Sequence, residues 1–343
     1  MTSRRCQSKI AGRCSAVAAG FLAWALGLAC AMGTAAAQPQ APWRHGMIEA
    51  KSDAGFFWMV DQGFADKQSI KLDIVQFKTD IIALQALLAG EIDSFDGGPV
   101  GSIIAASRGG DLKIIGCPWP GLPYGIFVRG QVQALADLKG KTFAISAPSA
   151  NPAVVARAML EQAGVPAATV NFANLGSDLD RFKAVVAGVA DAAIVSNEYL
   201  PIAEKQGVKM LVAAKDALPD YVRECVMSTG KNLAARHDDA VRFMAALITG
   251  FRHAVAHRDD AVRLTRQITG IKPDDPRPEF VYDNALRTQA VDPEYSLPVA
   301  KLAWMADQLV KDGTLKQRFD IARAVESDIR AAAFTRIGGV GAK

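Results

Sequence analysis

The feature that most constrains this chain is an alternation of strand-like and helix-like runs that occurs twice in the same order. In the first set Met47-Ile48 begins a strand, "IKLDIVQF" from Ile70 is a second, and a helix capped by Asp80 runs through Leu88 to a stop at Gly90. "IDSF" from Ile92, a helix over 99–107 and "LKIIGC" from Leu112 continue it. A β-α-β-α order predicts a parallel sheet with helices on its faces. In the second set "TFAI" is a strand, and a helix follows with Asn151 as its cap, Pro152 in its first turn and Gly164 at its end. A helix over 180–187, the strand "DAAIV" from Asp191, a helix over 200–206 and the strand "VKMLVA" from Val208 complete it.

The two sets echo each other. "LLAGEID" from Leu87 and "VVAGVAD" from Val185 each combine a helix end, an Ala-Gly stop and a strand starting at Asp. From about Asp238 the chain turns strongly helical. Two stretches punctuate the joins, "CPWPGLPYG" from Cys117 and "ALPDYVRECVMSTGKN" from Ala217, and both are read as crossings between lobes. The expected organisation is therefore a discontinuous first lobe, 43–122 plus 225–335, with a second lobe, 123–224, inserted in it.

The first 37 residues are read separately. Arg4, Arg5, Lys9 and Arg13 precede an uncharged run over 14–33, and Ala35-Ala36-Ala37 matches the small-residue exit of a secretory signal, so cleavage is expected after Ala37 and the product in the periplasm. The whole chain has 39 Lys+Arg against 35 Asp+Glu, and the four basic residues of that segment account for the excess. A balanced exported protein without a basic block argues against a nucleic-acid partner. Only Cys117 and Cys225 follow the cleavage point; one disulfide and two separate buried thiols both fit. With four His and no metal-binding spacing, neither a metal nor a cofactor is expected. His253 and His257, at i and i+4, read as a solvated helix face.

Five stretches in order carry a family resemblance: "FFWMVDQGFADKQSIKLDIV" (56–75), "ALLAGEIDSFDGGPV" (86–100), "LADLKGKTFAIS" (135–146), "AVVAGVADAAIVSNEYLPIAEKQGVKML" (184–211) and "WMADQLVKDGTL" (304–315). The chain resembles the solute-binding proteins of ABC importers in the nitrate/sulfonate/taurine (SsuA/THI5-like) branch. That resemblance implies an α/β fold of the periplasmic binding protein-like II type, with two α/β lobes and a ligand cleft between them. It also implies a monomer that closes on a small organic anion, such as a sulfonate, a taurine-like solute or an aromatic carboxylate. An inner-membrane permease with its ATPase would receive the solute, and no catalysis is implied. Two alternatives stand beside it: a binder of a thiamine pyrimidine precursor, and a pyrimidine-synthase-like enzyme on the same fold. The enzyme lacks support in the residues, since Cys117 and Cys225 stand alone and no nucleophile and base are brought together.

Open α/β sheets bind ligands at the carboxyl ends of their strands, which selects the candidate residues. Ser146, Ser149 and Asn151 lie at a strand end and helix start, where hydroxyls and N–H groups suit an anion. Ser52, Asp53 and Gly55 follow the first strand, with Phe56 as an apolar wall. Thr79 opens a helix, and Gly97 and Gly98 let backbone approach a ligand before Pro99 starts the next one. Trp119 either stacks on a planar solute or seals the hinge. Asn197 offers hydrogen bonds, and Glu198 either meets an amine or faces away from the cleft.

Overall fold

A computed structural model describes residues 41–338 of the 343. The expected export signal and its cleavage point lie outside the described residues. Ten strands form two five-stranded sheets. The first contains β1 (Trp43–Ile48), β2 (Leu72–Phe77), β3 (Ser94–Gly97), β4 (Leu112–Trp119) and β10 (Glu224–Thr229), in the order β2-β1-β3-β10-β4. The second contains β5 (Tyr124–Arg129), β6 (Thr142–Ile145), β7 (Asn171–Asn174), β8 (Ala192–Ser196) and β9 (Val208–Ala213), in the order β7-β6-β8-β5-β9.

The two orders are the same pattern. In each, the first three strands are parallel, and the fourth place is taken by the strand that enters from a crossing. That strand, β10 or β5, runs antiparallel to both neighbours. The sheets are thus mixed rather than all-parallel, a correction to the sequence expectation. A chain that leaves one sheet and enters the other at the edge where the parallel strands end must run against those strands.

The helices of eight residues or more are α1 (Asp80–Ala89), α2 (Val100–Ser107), α3 (Asn151–Gln162), α4 (Asp178–Val186), α5 (His237–Ala256), α6 (Arg258–Thr269), α7 (Arg277–Arg287), α8 (Val299–Lys311) and α9 (Asp328–Arg336). Among the described residues no helix is long and apolar enough to cross a membrane. Several local expectations change. Thr79, not Asp80, caps α1, its hydroxyl accepting from the Ile82 N–H. Ala150 occupies the N-cap of α3, and Asn151 makes no cap: its Nδ2 donates to the Arg223 carbonyl at 3.1 Å. Pro99 is the N-cap of α2 rather than part of it.

Cys117 of β4 and Cys225 of β10 form a disulfide. The bond ties together the two strands that flank the crossings, and it resolves the alternative left open by sequence. α5 covers one face of the first sheet through Phe243, Met244, Leu247 and Phe251, which join Trp43, Phe56 and Trp119 in one apolar cluster. His253 and His257 stack at 3.9 Å, with His253 Nε2 against Asp260 Oδ2 at 3.1 Å. Among the described residues no group of His, Cys, Asp and Glu is arranged to hold a metal ion.

Candidate functional site

A cleft of about 940 Å³, counted with the space open to solvent, lies where the carboxyl ends of β1, β3 and β6 meet the crossing before β10. Open α/β sheets place their ligand crevices at this edge. The first sheet's loops contribute Lys51, Asp53, Phe57, Trp58, Thr79, Asp80, Asp96, Gly97 and Gly98. Tyr124, Ser146, Asn151, Ser177, Asp178 and Arg181 come from the strands, loops and helix starts around the second sheet, and the crossing and the start of β10 supply Arg223 and Glu224.

Side chains reach across this cleft. Lys51 Nζ donates to Asp178 Oδ2 at 2.5 Å, and Asp178 also receives Arg181 and, at 3.3 Å, the Ser196 N–H. Burial alone would raise the Asp178 carboxyl, but Lys51 and Arg181 outweigh it and hold it at about 2. For Lys51, burial works against the charge, and Asp178 more than compensates, so its proton is held above the usual lysine range. The start of α4, which carries Asp178, is set by a capping box, in which Ser177 Oγ accepts from the Asp180 N–H and donates to the Asp180 carboxylate.

Arg223 is the other fixed point. It pairs with Asp53, lies 3.5 Å from Glu224 Oε2, and sits over the Trp119 ring at 4.3 Å. Its Nη1 is buried without a partner. Burial opposes the guanidinium charge, and Asp53 and Glu224 overcome that opposition. Glu224 itself is raised well above the carboxylate range, mainly by burial and against the pull of Arg223. Burial also raises Asp80, offset in part by the Gly98 N–H, Lys51 and Arg223. It pushes the Tyr124 phenol up to about 12. Ser146 Oγ, Asn151 Oδ1 and Asp96 Oδ1 are buried polar atoms without partners, and all three residues line the cleft. Such atoms are costly to leave unsatisfied.

The residues expected from sequence divide into two groups. Asp53, Thr79, Gly97, Gly98, Ser146 and Asn151 line the cleft. Phe56 does not: it stacks on Tyr282 and Phe251 inside the core, and its neighbours Phe57 and Trp58 form the wall instead. Gly55 serves packing, since a Cβ there would sit 1.9 Å from the Ala261 carbonyl oxygen. Trp119 is buried against Phe56 and Phe57, and with Asn197 it borders a separate depression. Ser149 is exposed, and Pro99 is buried outside the lining. Ser52 is buried outside the lining; its N–H donates to Glu198 Oε2 at 3.1 Å, so Glu198 binds the opposite loop instead of facing the cleft. Burial raises the Glu198 carboxyl, with the Ser52 bond opposing.

Sequence reading missed Lys51, Asp96, Asp178, Arg181, Arg223 and Glu224. The strand-end rule would have reached Asp96 and Lys51, had charged residues been sought there. Arg223 lay inside a stretch read only as a join.

Residues 52–261 match the family model described as NMT1/THI5 like. No curated protein matches the chain in sequence. Among solved structures, the periplasmic aliphatic sulphonate binding protein SsuA from Escherichia coli is 19% identical, with 84% of this chain and 93% of that one covered at a TM-score of 0.68. The alkanesulfonate-binding protein SsuA from Xanthomonas axonopodis pv. citri, bound to MOPS, is 20% identical over 85% of this chain and 100% of that one, at 0.70. The periplasmic nitrate-binding protein NrtA from Synechocystis PCC 6803 is 13% identical over 87% and 89%, at 0.71. At these identities the likeness establishes a shared fold.

Proposed function

The chain belongs to the NMT1/THI5-like family and has the periplasmic solute-binding protein fold, and on that footing we propose that it is the exported solute-binding subunit of an ABC importer. In this reading the regions around the two sheets are lobes, 43–122 plus 225–335 and 123–224. They close on a small solute with an anionic group and present it to an inner-membrane permease. The observation that carries the reading is a pair of buried donors without partners at the cleft, Arg223 Nη1 and Ser146 Oγ. A guanidinium with a free N–H beside a hydroxyl suits a sulfonate or carboxylate oxygen. The amino end of the twelve-residue helix α3 adds partial positive charge at the same wall.

Neighbours named for sulfonates and nitrate favour this over the pyrimidine-precursor alternative. They are binding proteins, and the cleft of this chain is read as a binding site without a reaction. The test is a thermal-shift screen of the full chain against sulfonates, aliphatic and aromatic carboxylates, nitrate and aminopyrimidines. A solute that binds only the folded state raises the melting temperature. Stabilisation by an acidic solute supports the reading, and stabilisation by aminopyrimidines alone overturns it.

A further inference from the structure

β1 and β3 run side by side with His45 opposite Ser94, so His45, Ser94 and Asp96 present side chains on one face of the sheet. A continuous chain of hydrogen bonds follows. Trp43 Nε1 donates to Ser94 Oγ at 2.8 Å, Ser94 Oγ meets His45 Nδ1 at 2.8 Å, and His45 Nε2 meets Asp96 Oδ2 at 3.2 Å. All four side chains are buried, and the Phe243 ring covers Trp43 and His45.

Hydrogen counting sets the direction of this chain. Trp43 Nε1 can only donate, and His45 Nδ1 is the other partner of Ser94 Oγ, so the hydroxyl hydrogen is assigned to His45 Nδ1 as its acceptor. His45 Nε2 then carries the ring proton and donates to Asp96 Oδ2. The relay ends at Asp96 Oδ1, a buried oxygen without a partner on a residue that lines the cleft, next to the strand that bears Glu224. A carboxylate oxygen held this way needs a donor, and the protein supplies none.

We propose that Asp96 Oδ1 is a specificity-determining acceptor for an N–H or O–H group of the solute, and that His45, backed by Ser94 and Trp43, is the residue that positions it. The inference rests on the reading that the cleft takes a solute with an anionic group. It adds that the solute carries a donor as well, at the wall opposite Ser146. A charged N–H donor makes a stronger bond to the Asp96 carboxylate than a hydroxyl does, so a cationic nitrogen is the better donor there. The relay direction has a sharp consequence. In Asp96→Asn the introduced amide oxygen must face the His45 N–H, which turns its NH₂ toward the cleft and replaces an acceptor with a donor.

The experiment is titration calorimetry of the full chain with ethanesulfonate, 2-hydroxyethanesulfonate and 2-aminoethanesulfonate. Affinity should rise along that series, by about tenfold or more from the first to the last, as expected for a hydrogen bond to a charged group. Asp96→Asn should abolish or invert the order. His45→Leu should flatten the order too, and His45→Gln, which keeps an N–H for Asp96, should restore it. A purely structural role for His45 would instead weaken all three compounds alike. If His45→Leu does not fold, Asp96→Asn with His45→Gln carries the test. Equal binding of all three compounds by the unaltered protein overturns this inference and leaves the anion reading intact. Binding of none of the three overturns this inference, while the wider solute screen decides the anion reading.

Discussion

Gly98 and Asn151 meet across the cleft so closely that a Cβ built on the glycine would lie 2.6 Å from the asparagine Cβ. Gly98 follows a strand of the first sheet, and Asn151 opens the helix after β6 of the second. The contact exists only with the two sheets brought together, so a methyl group at position 98 acts on closure. We expect Gly98→Ala to weaken solute binding by about tenfold or more, since the arrangement competent to bind becomes less populated. On the proposed two-lobe reading, the melting temperature without solute should change little, because parting of the lobes would relieve the clash. Calorimetry and small-angle scattering with and without solute would check both.

Asp178 holds Lys51 and Arg181 together, and its removal leaves buried cations without their anion. Asp178→Asn should cost about 2–4 kcal/mol of stability at neutral pH, below the full value for a broken buried pair because Lys51 keeps some solvent contact. The pH dependence has a definite sign. The folded carboxyl sits at about 2 against an ordinary 3.8, so its contribution is present above 3.8 and is lost as pH falls through 2. Urea melts of the two proteins should therefore converge on acidification, and a constant gap down to pH 2 would contradict the assignment.

The Cys117–Cys225 bond closes a loop with a sequence separation of 108 that contains the whole second sheet. Constraint of the unfolded chain over such a loop predicts a loss of about 3–5 kcal/mol in the double Cys→Ser variant. Denaturation of the unaltered protein with and without a reductant should reproduce that difference.

Much of the architecture was legible in the sequence, because strand and helix periods alternate cleanly and "TFAI" and "VKMLVA" coincide with β6 and β9. β5 and β10 were not, since both begin inside the stretches read as connections. Their pairing is a tertiary matter: each finds its antiparallel partners only after crossing to the other sheet. β7 escaped notice as a short edge strand with polar ends, "NFAN". At the cleft, the small residues Gly97, Gly98 and Ser146 followed from strand ends, while Arg223 and Asp178 did not. A charged side chain in a loop or a helix's first turn reads as solvated until a distant segment buries it, and local sequence carries no sign of that burial. Phe56 and Phe57 show the same limit, as one turn of helix, Ala54–Phe57, sends one ring into the core and its neighbour to the cleft.

The most direct test of the central claim is calorimetric titration of ethanesulfonate into the full chain and into Arg223→Lys. The lysine keeps the charge beside Asp53 but cannot donate to that carboxylate and to a solute from a rigid fork. The account predicts measurable binding by the unaltered protein and about a tenfold loss or more in the variant, from one missing charge-assisted hydrogen bond. Equal affinity in the two proteins would contradict the assignment of the free Arg223 N–H as the anchor for the anionic group.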